Sequence, residues 1–161
     1  MAQQLVGPGY IYVTPHPVQF SLVSGSSVAV CLYDPKNRIG GINHFPYPLI
    51  RDPKKATAMF GNAATAALVR MMLDQGGKRR RMEAQILGGA FNPELSERDI
   101  GLENVDVARR VLSSRRIQIV SEDVGGSRGR KVVFNTETGE VAVFKAVQLR
   151  RSDWFPYEGD R

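Results

Sequence analysis

Cysteine and histidine are scarce in this chain of 161 residues, which contains one cysteine and two histidines. A single cysteine cannot form an internal disulfide, and three such side chains are too few for a structural zinc cluster. The sequence also lacks any run of about 18 apolar residues, the length that a membrane-spanning helix needs. We therefore expect no disulfide, no bound metal, no cofactor and no insertion into a membrane.

Aromatic residues make up only 8% of the chain, and they are not interleaved with the basic residues. The formal charge of +6, from 22 Lys and Arg against 16 Asp and Glu, favours acidic partners in general. Nucleic acid is one such partner, but no nucleic-acid-binding motif is present, so that alternative rests on charge alone. The polar start M-A-Q-Q-L does not resemble a secretion signal. We expect a cytoplasmic monomer that does not bind nucleic acid.

The remaining composition, 42% hydrophobic and 24% charged, is ordinary for a globular protein. A chain of this length can bury one sizeable hydrophobic core but is too short for two. We therefore predict a single domain over residues 1–161 with a loosely packed tail from about residue 150. Three aromatic residues in that tail, Trp154, Phe155 and Tyr157, are able to pack it down.

Hydrophobic periodicity predicts both helices and strands. Apolar residues recur at spacings of three and four over residues 57–75 and 104–114, which predicts two helices. Short β-branched and apolar runs predict about seven strands, among them residues 10–13, 28–33, 82–87, 117–121, 130–134 and 140–144. Their order is typical of the α+β class. We expect mixed or antiparallel sheets in a sandwich-like core, flanked by the two main helices.

The residues that suggest chemistry lie in one stretch, S-L-V-S-G-S-S-V-A-V-C-L-Y-D-P-K-N-R-I-G-G-I-N-H, which runs from Ser21 to His44. It reads as a strand, a tight Gly/Ser turn, a second strand, a loop and a third strand. Such a meander can return His44 beside Ser27. A hydroxyl nucleophile, a histidine base and a further hydroxyl at Ser21 form the general pattern of nucleophilic acyl transfer.

This stretch resembles the CheD family, the chemoreceptor glutamine deamidases of bacterial chemotaxis. The family pattern is close to T/S-L-G-x-G-S-C-V-A-V-C-x-x-D-P, followed by a Gly-rich bend and a histidine. The resemblance extends over nearly the whole chain, because four later segments match in the same order. They are F-G-N-A-A-T-A-A-L-V, I-L-G-G-A-F-N, I-G-L-E-N-V and E-D-V-G-G-S-R-G-R-K-V-V-F-N-T-E-T-G.

The resemblance implies an activity and a set of site residues. The implied reaction is hydrolysis of glutamine side chains, on the helical cytoplasmic part of chemoreceptors, to glutamate and ammonia. In this chain His44 matches the catalytic histidine, Ser21 matches the hydroxyl that orients it, and Ser27 occupies the position of the nucleophile. The residues expected to bind substrate are Ser26, Asn43, Gly125, Gly126 and Arg128.

Ser27 departs from the family pattern, which has cysteine at this position. An alkoxide is much harder to form than a thiolate, so we expect low or absent deamidation. Cys31 matches the second cysteine of the motif, about 13 Å further along the strand, and is expected to be a small buried hydrophobe. The alternative to an enzyme is a binding module that has lost catalysis and docks on receptors and on the chemotaxis phosphatase CheC.

Overall fold

Nine strands and two α-helices make up the part of the chain that this computed structural model describes, residues 1–146 and 148–154. The strands are β1 (Ala2–Leu5), β2 (Ile11–Thr14), β3 (Val18–Ser24), β4 (Val28–Asp34), β5 (Ile39–Asn43), β6 (Glu83–Gly88), β7 (Gln118–Val124), β8 (Arg130–Asn135) and β9 (Glu140–Lys145). The helices are α1 (Gly61–Asp74) and α2 (Ile100–Ser114), with short 3₁₀ helices at Pro53–Lys55, Arg79–Arg81 and Arg151–Trp154. The predicted α+β class is confirmed.

The strands form two mixed sheets, as predicted. One sheet has the order β1-β3-β8-β9 and the other β2-β5-β4-β6-β7. Each contains one parallel pair, β1 with β3 and β6 with β7, and its other pairs are antiparallel. None of the helices among the described residues is both long enough and apolar enough to cross a membrane.

Strand β4 lies at the centre of the molecule, and all seven of its residues are buried. Because side chains alternate along a strand, Val28, Val30 and Leu32 pack on one face together with residues of α1 and α2. Ala29, Cys31 and Tyr33 pack on the other face against Phe20, Leu22, Val132 and Phe134 of the four-stranded sheet. The chain therefore folds into three layers, sheet on sheet on helices, with both helices on the same side of the five-stranded sheet.

The order of strands brings the ends of distant segments together at one end of the molecule. The turn from β3 to β4 lies beside the end of β5, because Val28 pairs with Phe45 in an isolated antiparallel bridge. On its other side Val28 pairs with Gly88, the last residue of β6. The residues just before Val28 and just after Asn43 therefore meet at this end of the sheet.

Some element boundaries differ from the predictions. Strand β1 was not predicted, since all four of its residues are exposed and no apolar pattern marks it. Helix α2 begins at Ile100 rather than near residue 104, because the Asp99 carboxylate accepts a hydrogen bond from the amide of Leu102 at 3.0 Å and caps the helix. Helix α1 begins at Gly61 rather than near residue 57, since the Gly61 amide donates to the Tyr47 carbonyl at 2.8 Å.

Within the C-terminal segment, the 3₁₀ helix Arg151–Trp154 packs against the β3–β4 turn through Trp154. The Trp154 side chain is only 6% exposed. Its ring covers Gly25, where a Cβ would lie 2.6 Å from the ring atom Cε3. The predicted packing by Trp154 is thus confirmed, while Phe155 and Tyr157 lie outside the described residues.

Candidate active site

The turn that carries Ser27 is held by hydrogen bonds on both sides. The Ser24 hydroxyl donates to the Ser27 carbonyl at 2.6 Å, and the Gly89 amide donates to the same carbonyl at 2.9 Å. Trp154 covers the turn at Gly25, where only a glycine fits. These contacts place the Ser27 side chain, which is 4% exposed, at a defined position just before β4.

His44 follows directly after β5, and its ring lies against Ser27. The ring atom Nε2 is 2.7 Å from the Ser27 Oγ, and Nδ1 is 2.9 Å from the Val6 carbonyl oxygen. A carbonyl oxygen can only accept, so we place the ring proton on Nδ1. The lone pair of Nε2 then faces the Ser27 hydroxyl, and this is the arrangement of a nucleophile and its general base.

The protonation state of His44 suits the role of a base. Burial lowers the pKa of His44 to about 4, although the hydrogen bond to the Val6 carbonyl acts in the opposite direction. The imidazole is therefore neutral near pH 7. A neutral ring can accept the hydroxyl proton, whereas an imidazolium cannot.

The low pKa of His44 predicts a loss of stability in mild acid. Unfolding would restore its pKa to about 6.5, so below that pH the unfolded chain binds a proton that the folded chain does not. This contribution is fully present above about pH 6.5 and is lost as the pH falls toward 4. Between pH 7.5 and pH 5 the free energy of unfolding should fall by roughly 2 kcal/mol. Urea unfolding at the two pH values measures this fall in the free energy of unfolding.

The matched variant for this measurement is His44→Gln, which keeps a polar side chain but cannot titrate. Between pH 7.5 and pH 5 the free energy of unfolding of the unmodified chain should fall by roughly 2 kcal/mol more than that of His44→Gln. An equal pH dependence in the two proteins would show that His44 does not hold the depressed pKa.

Ser27 and His44 open onto a cavity of about 230 Å³. Its walls come from the segment after β1, from β3 and from the 3₁₀ helix Arg151–Trp154; Val6, Val23, Ser152 and Asp153 are among the lining residues. The two reactive groups are thus nearly buried yet reachable from one side. A side chain of moderate size can enter this space and meet both of them.

Ser21 lines this cavity, but the expected contact with the imidazole is absent from the described part of the structure. Phe20 and Leu22 point into the core, so alternation along β3 directs the Ser21 side chain to the opposite face. The imidazole atom Nδ1 instead bonds to the Val6 carbonyl. The Ser21 carbonyl accepts the Val6 amide at 2.8 Å, so Ser21 holds the residue that orients His44.

Two expected substrate-binding residues, Asn43 and Ser26, make hydrogen bonds inside the fold. The Asn43 side chain is fully buried; its Oδ1 accepts from the Val30 amide at 2.8 Å and its Nδ2 donates to the Thr65 hydroxyl at 3.4 Å. Ser26 is also fully buried, and its carbonyl accepts from the Asn104 side chain at 3.0 Å. Neither lines the cavity beside His44. The Asn43 side chain and the Ser26 carbonyl thus hold the strands and the turn.

The other expected substrate-binding residues lie outside the cavity of Ser27 and His44. Gly125, Gly126 and Arg128 line a separate cavity of about 250 Å³ between β7 and β8. A hydrogen bond joins this loop to the end of β6, because the Gly125 amide donates to the Gly88 carbonyl at 3.0 Å. The next residue, Gly89, is bonded to the Ser27 turn. The glycine loop is therefore a neighbour of the candidate active site and not one of its walls.

Several residues that hold the site were not predicted. They are Val6, which orients the imidazole; Ser24, which closes the turn; and Asn104, which donates to the carbonyls of Ser26 and Pro46. Arg130 is a further one, 2% exposed and bonded to Asp123 and to the carbonyls of Gly88 and Gly125. The motifs I-G-L-E-N-V and G-G-S-R-G-R-K contain two of them, but nothing in those letters indicates their partners.

Cys31 does not belong to the site. It is 1% exposed and packs between the two sheets, as predicted. Burial raises the pKa of its thiol, which keeps the group protonated and unreactive. The only nucleophile–histidine contact in the described part of the chain is therefore that of Ser27 with His44.

A buried serine and a neutral histidine in contact, carried on an α+β scaffold, define a hydrolase-type site of nucleophilic acyl transfer. Sequence comparisons give the family. Residues 47–145 match the family model described as CheD, chemotactic sensory transduction. With this match and the relatives below, the chain belongs to the CheD family.

The curated relatives support this membership over most of the chain. A protein of Anaeromyxobacter dehalogenans named "Probable chemoreceptor glutamine deamidase CheD 1" is 40% identical over 140 residues, 86% of this chain and 81% of its own length. One of Sulfurimonas denitrificans named "Probable chemoreceptor glutamine deamidase CheD" is 38% identical over 141 residues, 86% of this chain and 90% of its own length.

Proposed function

We propose that this protein is a hydrolase that deamidates glutamine side chains of chemoreceptors. The observation that carries the proposal is the 2.7 Å contact between the Ser27 Oγ and the His44 Nε2 at the floor of a cavity. The names of the relatives supply the substrate class, since they are called chemoreceptor glutamine deamidases. The retained base and turn favour an enzyme over a binding module without catalysis.

The proposed reaction proceeds in two halves. The Ser27 Oγ attacks the carbonyl carbon of the glutamine carboxamide while its proton passes to the His44 Nε2. The tetrahedral intermediate collapses as His44 returns that proton to the amide nitrogen, and ammonia leaves. Water, deprotonated by His44, then attacks the Ser27 ester, and glutamate is released with the hydroxyl restored.

The negative charge of the tetrahedral intermediate requires a donor close to the nucleophile. The Ser27 backbone amide is suited to this role, because it donates to no acceptor within the described residues. Its position is fixed by the bonds from Ser24 and Gly89 to the carbonyl of the same residue. We assign this amide to the oxyanion site.

Ser27 makes this proposed enzyme a slow one. A serine hydroxyl needs a strong base, whereas the pKa of His44, about 4, makes the imidazole a weak one. The geometry is thus that of a nucleophile and its base, with a nucleophile that is difficult to activate. We further propose that the chain acts as one domain, in the cytoplasm, on the cytoplasmic helices of its receptors.

The test is to incubate the purified chain with a receptor cytoplasmic fragment and to count converted glutamines by mass spectrometry. Each conversion of a carboxamide to a carboxylate adds about 1 Da and releases one ammonia. We expect slow conversion that falls by about 10²-fold or more in His44→Ala, the loss typical of a general base. Conversion that survives in His44→Ala would overturn the mechanism.

A further inference from the structure

The loop between β7 and β8 forms a cavity that the proposed chemistry does not use. Gly125 and Gly126 have φ angles of +79° and +70°, which favour glycine, and the cavity beside them measures about 250 Å³. Ser127, Arg128, Arg130 and Lys145 complete its lining. Ser27 and His44 do not contribute to it, so it is a separate site.

The charge around this cavity is positive. Three cationic side chains line it, Arg128, Arg130 and Lys145, and the Asp123 carboxylate contacts the last two. Arg130 is 2% exposed and is held in place by Asp123 at 2.9 Å and by the Gly125 carbonyl at 2.9 Å. Arg130 therefore favours a negative group in the cavity. Because its side chain is already buried and fixed, it does not have to be ordered when that group binds.

Backbone donors add to this preference. The amides of Gly126, Ser127 and Arg128 donate to no acceptor in the part of the chain that the structure describes. Successive amides in a turn with left-handed residues commonly form a concave site for an anion. A single negative charge fits better than two, since the Asp123 carboxylate lies 3.9 Å from the Lys145 Nζ and would repel a phosphate dianion.

The cavity lies within reach of a substrate bound at Ser27. Val28 pairs with Gly88, and Gly88 pairs with Val124, so two strand spacings separate the nucleophile turn from the glycine loop. Two spacings amount to about 10 Å. Along a helix, which rises about 1.5 Å per residue, that distance corresponds to about seven residues on one face.

We propose that this cavity is a subsite for a carboxylate side chain of the polypeptide substrate, about seven residues from the target glutamine. The Gly126–Arg128 amides, Arg128 and Lys145 receive the carboxylate, and Arg130 holds the loop. This inference rests on the proposed function for the identity of the substrate. The presence of the anion subsite itself can be tested by binding alone.

The experiment measures peptide binding to the full chain by fluorescence anisotropy. One helical peptide carries a target glutamine and a glutamate seven residues away, and its matched partner has glutamine at the second position. Arg128→Gln and Lys145→Gln should each weaken binding of the acidic peptide about tenfold and leave the neutral peptide unchanged. Lys36→Gln, a charge loss at the opposite end of β4, should change neither.

Three outcomes of the binding experiment would overturn the subsite. They are equal weakening of both peptides, equal weakening by Lys36→Gln, or tighter binding of a phosphoserine peptide than of the glutamate peptide. Amide NMR shifts of Gly126 and Ser127 on titration with the acidic peptide provide a second readout, and unshifted amides would also overturn it. Acidic-peptide preference without glutamine conversion by either the unmodified chain or Ser27→Cys would instead overturn the proposed function and leave the subsite standing.

Discussion

Ser27→Cys should increase the rate of deamidation of a receptor fragment about 100-fold or more. The base, the turn and the candidate oxyanion amide are already in place, with Nε2 of His44 2.7 Å from the atom to be replaced. A thiol has a pKa of about 8.5, so its proton is removed far more easily than that of a serine hydroxyl. A thiolate would in turn raise the pKa of His44, since an adjacent negative charge favours the imidazolium. Ammonia release measures the gain.

The control is the double variant Ser27→Cys with His44→Ala, which should lose most of this gain because the thiol then has no base. The matched control Cys31→Ser removes the other thiol and should leave the activity of Ser27→Cys unchanged, since Cys31 is buried between the sheets. Efficient conversion by the unmodified chain, with no gain from the cysteine, would identify serine as the adapted nucleophile. No conversion by either protein, with receptor or CheC binding retained, would favour the binding module.

Arg130→Met should lower the free energy of unfolding by about 3 kcal/mol. The variant removes the bonds from Arg130 to Asp123, Gly88 and Gly125 and leaves the Gly125 carbonyl without its donor. Methionine fills a similar volume, so the loss reports on the polar contacts rather than on a cavity. Urea unfolding at pH 7.5 gives the value.

The matched control for Arg130→Met is Lys131→Met, the next residue on β8, whose side chain is exposed. It removes the same charge without breaking a described hydrogen bond, and its stability should stay within about 0.5 kcal/mol of the unmodified chain. Deamidation by the Ser27→Cys background should fall in Arg130→Met as well, since Gly88 supports the Ser27 turn. Equal stability of the two methionine variants would contradict the stabilising role assigned to the hydrogen bonds of Arg130.

Local pattern was sufficient to predict the central layer and the reactive pair. The run V-A-V-C-L-Y has no polar face, as expected for a strand covered on both sides, and β4 is buried along its whole length. The meander from residue 21 to residue 44 predicted that His44 returns to Ser27. Tight turns and antiparallel pairing connect neighbours in sequence, so their contacts can be predicted from local residues.

The supporting residues could not be predicted in the same way. Val6 reaches His44 because the exposed strand β1 adds in parallel to β3, and its polar residues give no periodic signal. Arg130 is buried because it meets the Gly88 carbonyl, 42 residues away in sequence. Asn43 has the residue type of a binding site, yet its side chain bonds to the Val30 amide and to the Thr65 hydroxyl of α1.

Residue type and spacing were therefore enough to predict that Ser27 and His44 meet, because they lie at the ends of adjacent strands of one meander. Tertiary structure was needed to show what orients the His44 ring, which polar residues line the cavity beside it, and that the glycine loop forms a cavity of its own. These depend on the order of strands across two sheets, and that order is set by burial of the combined core rather than by any one segment.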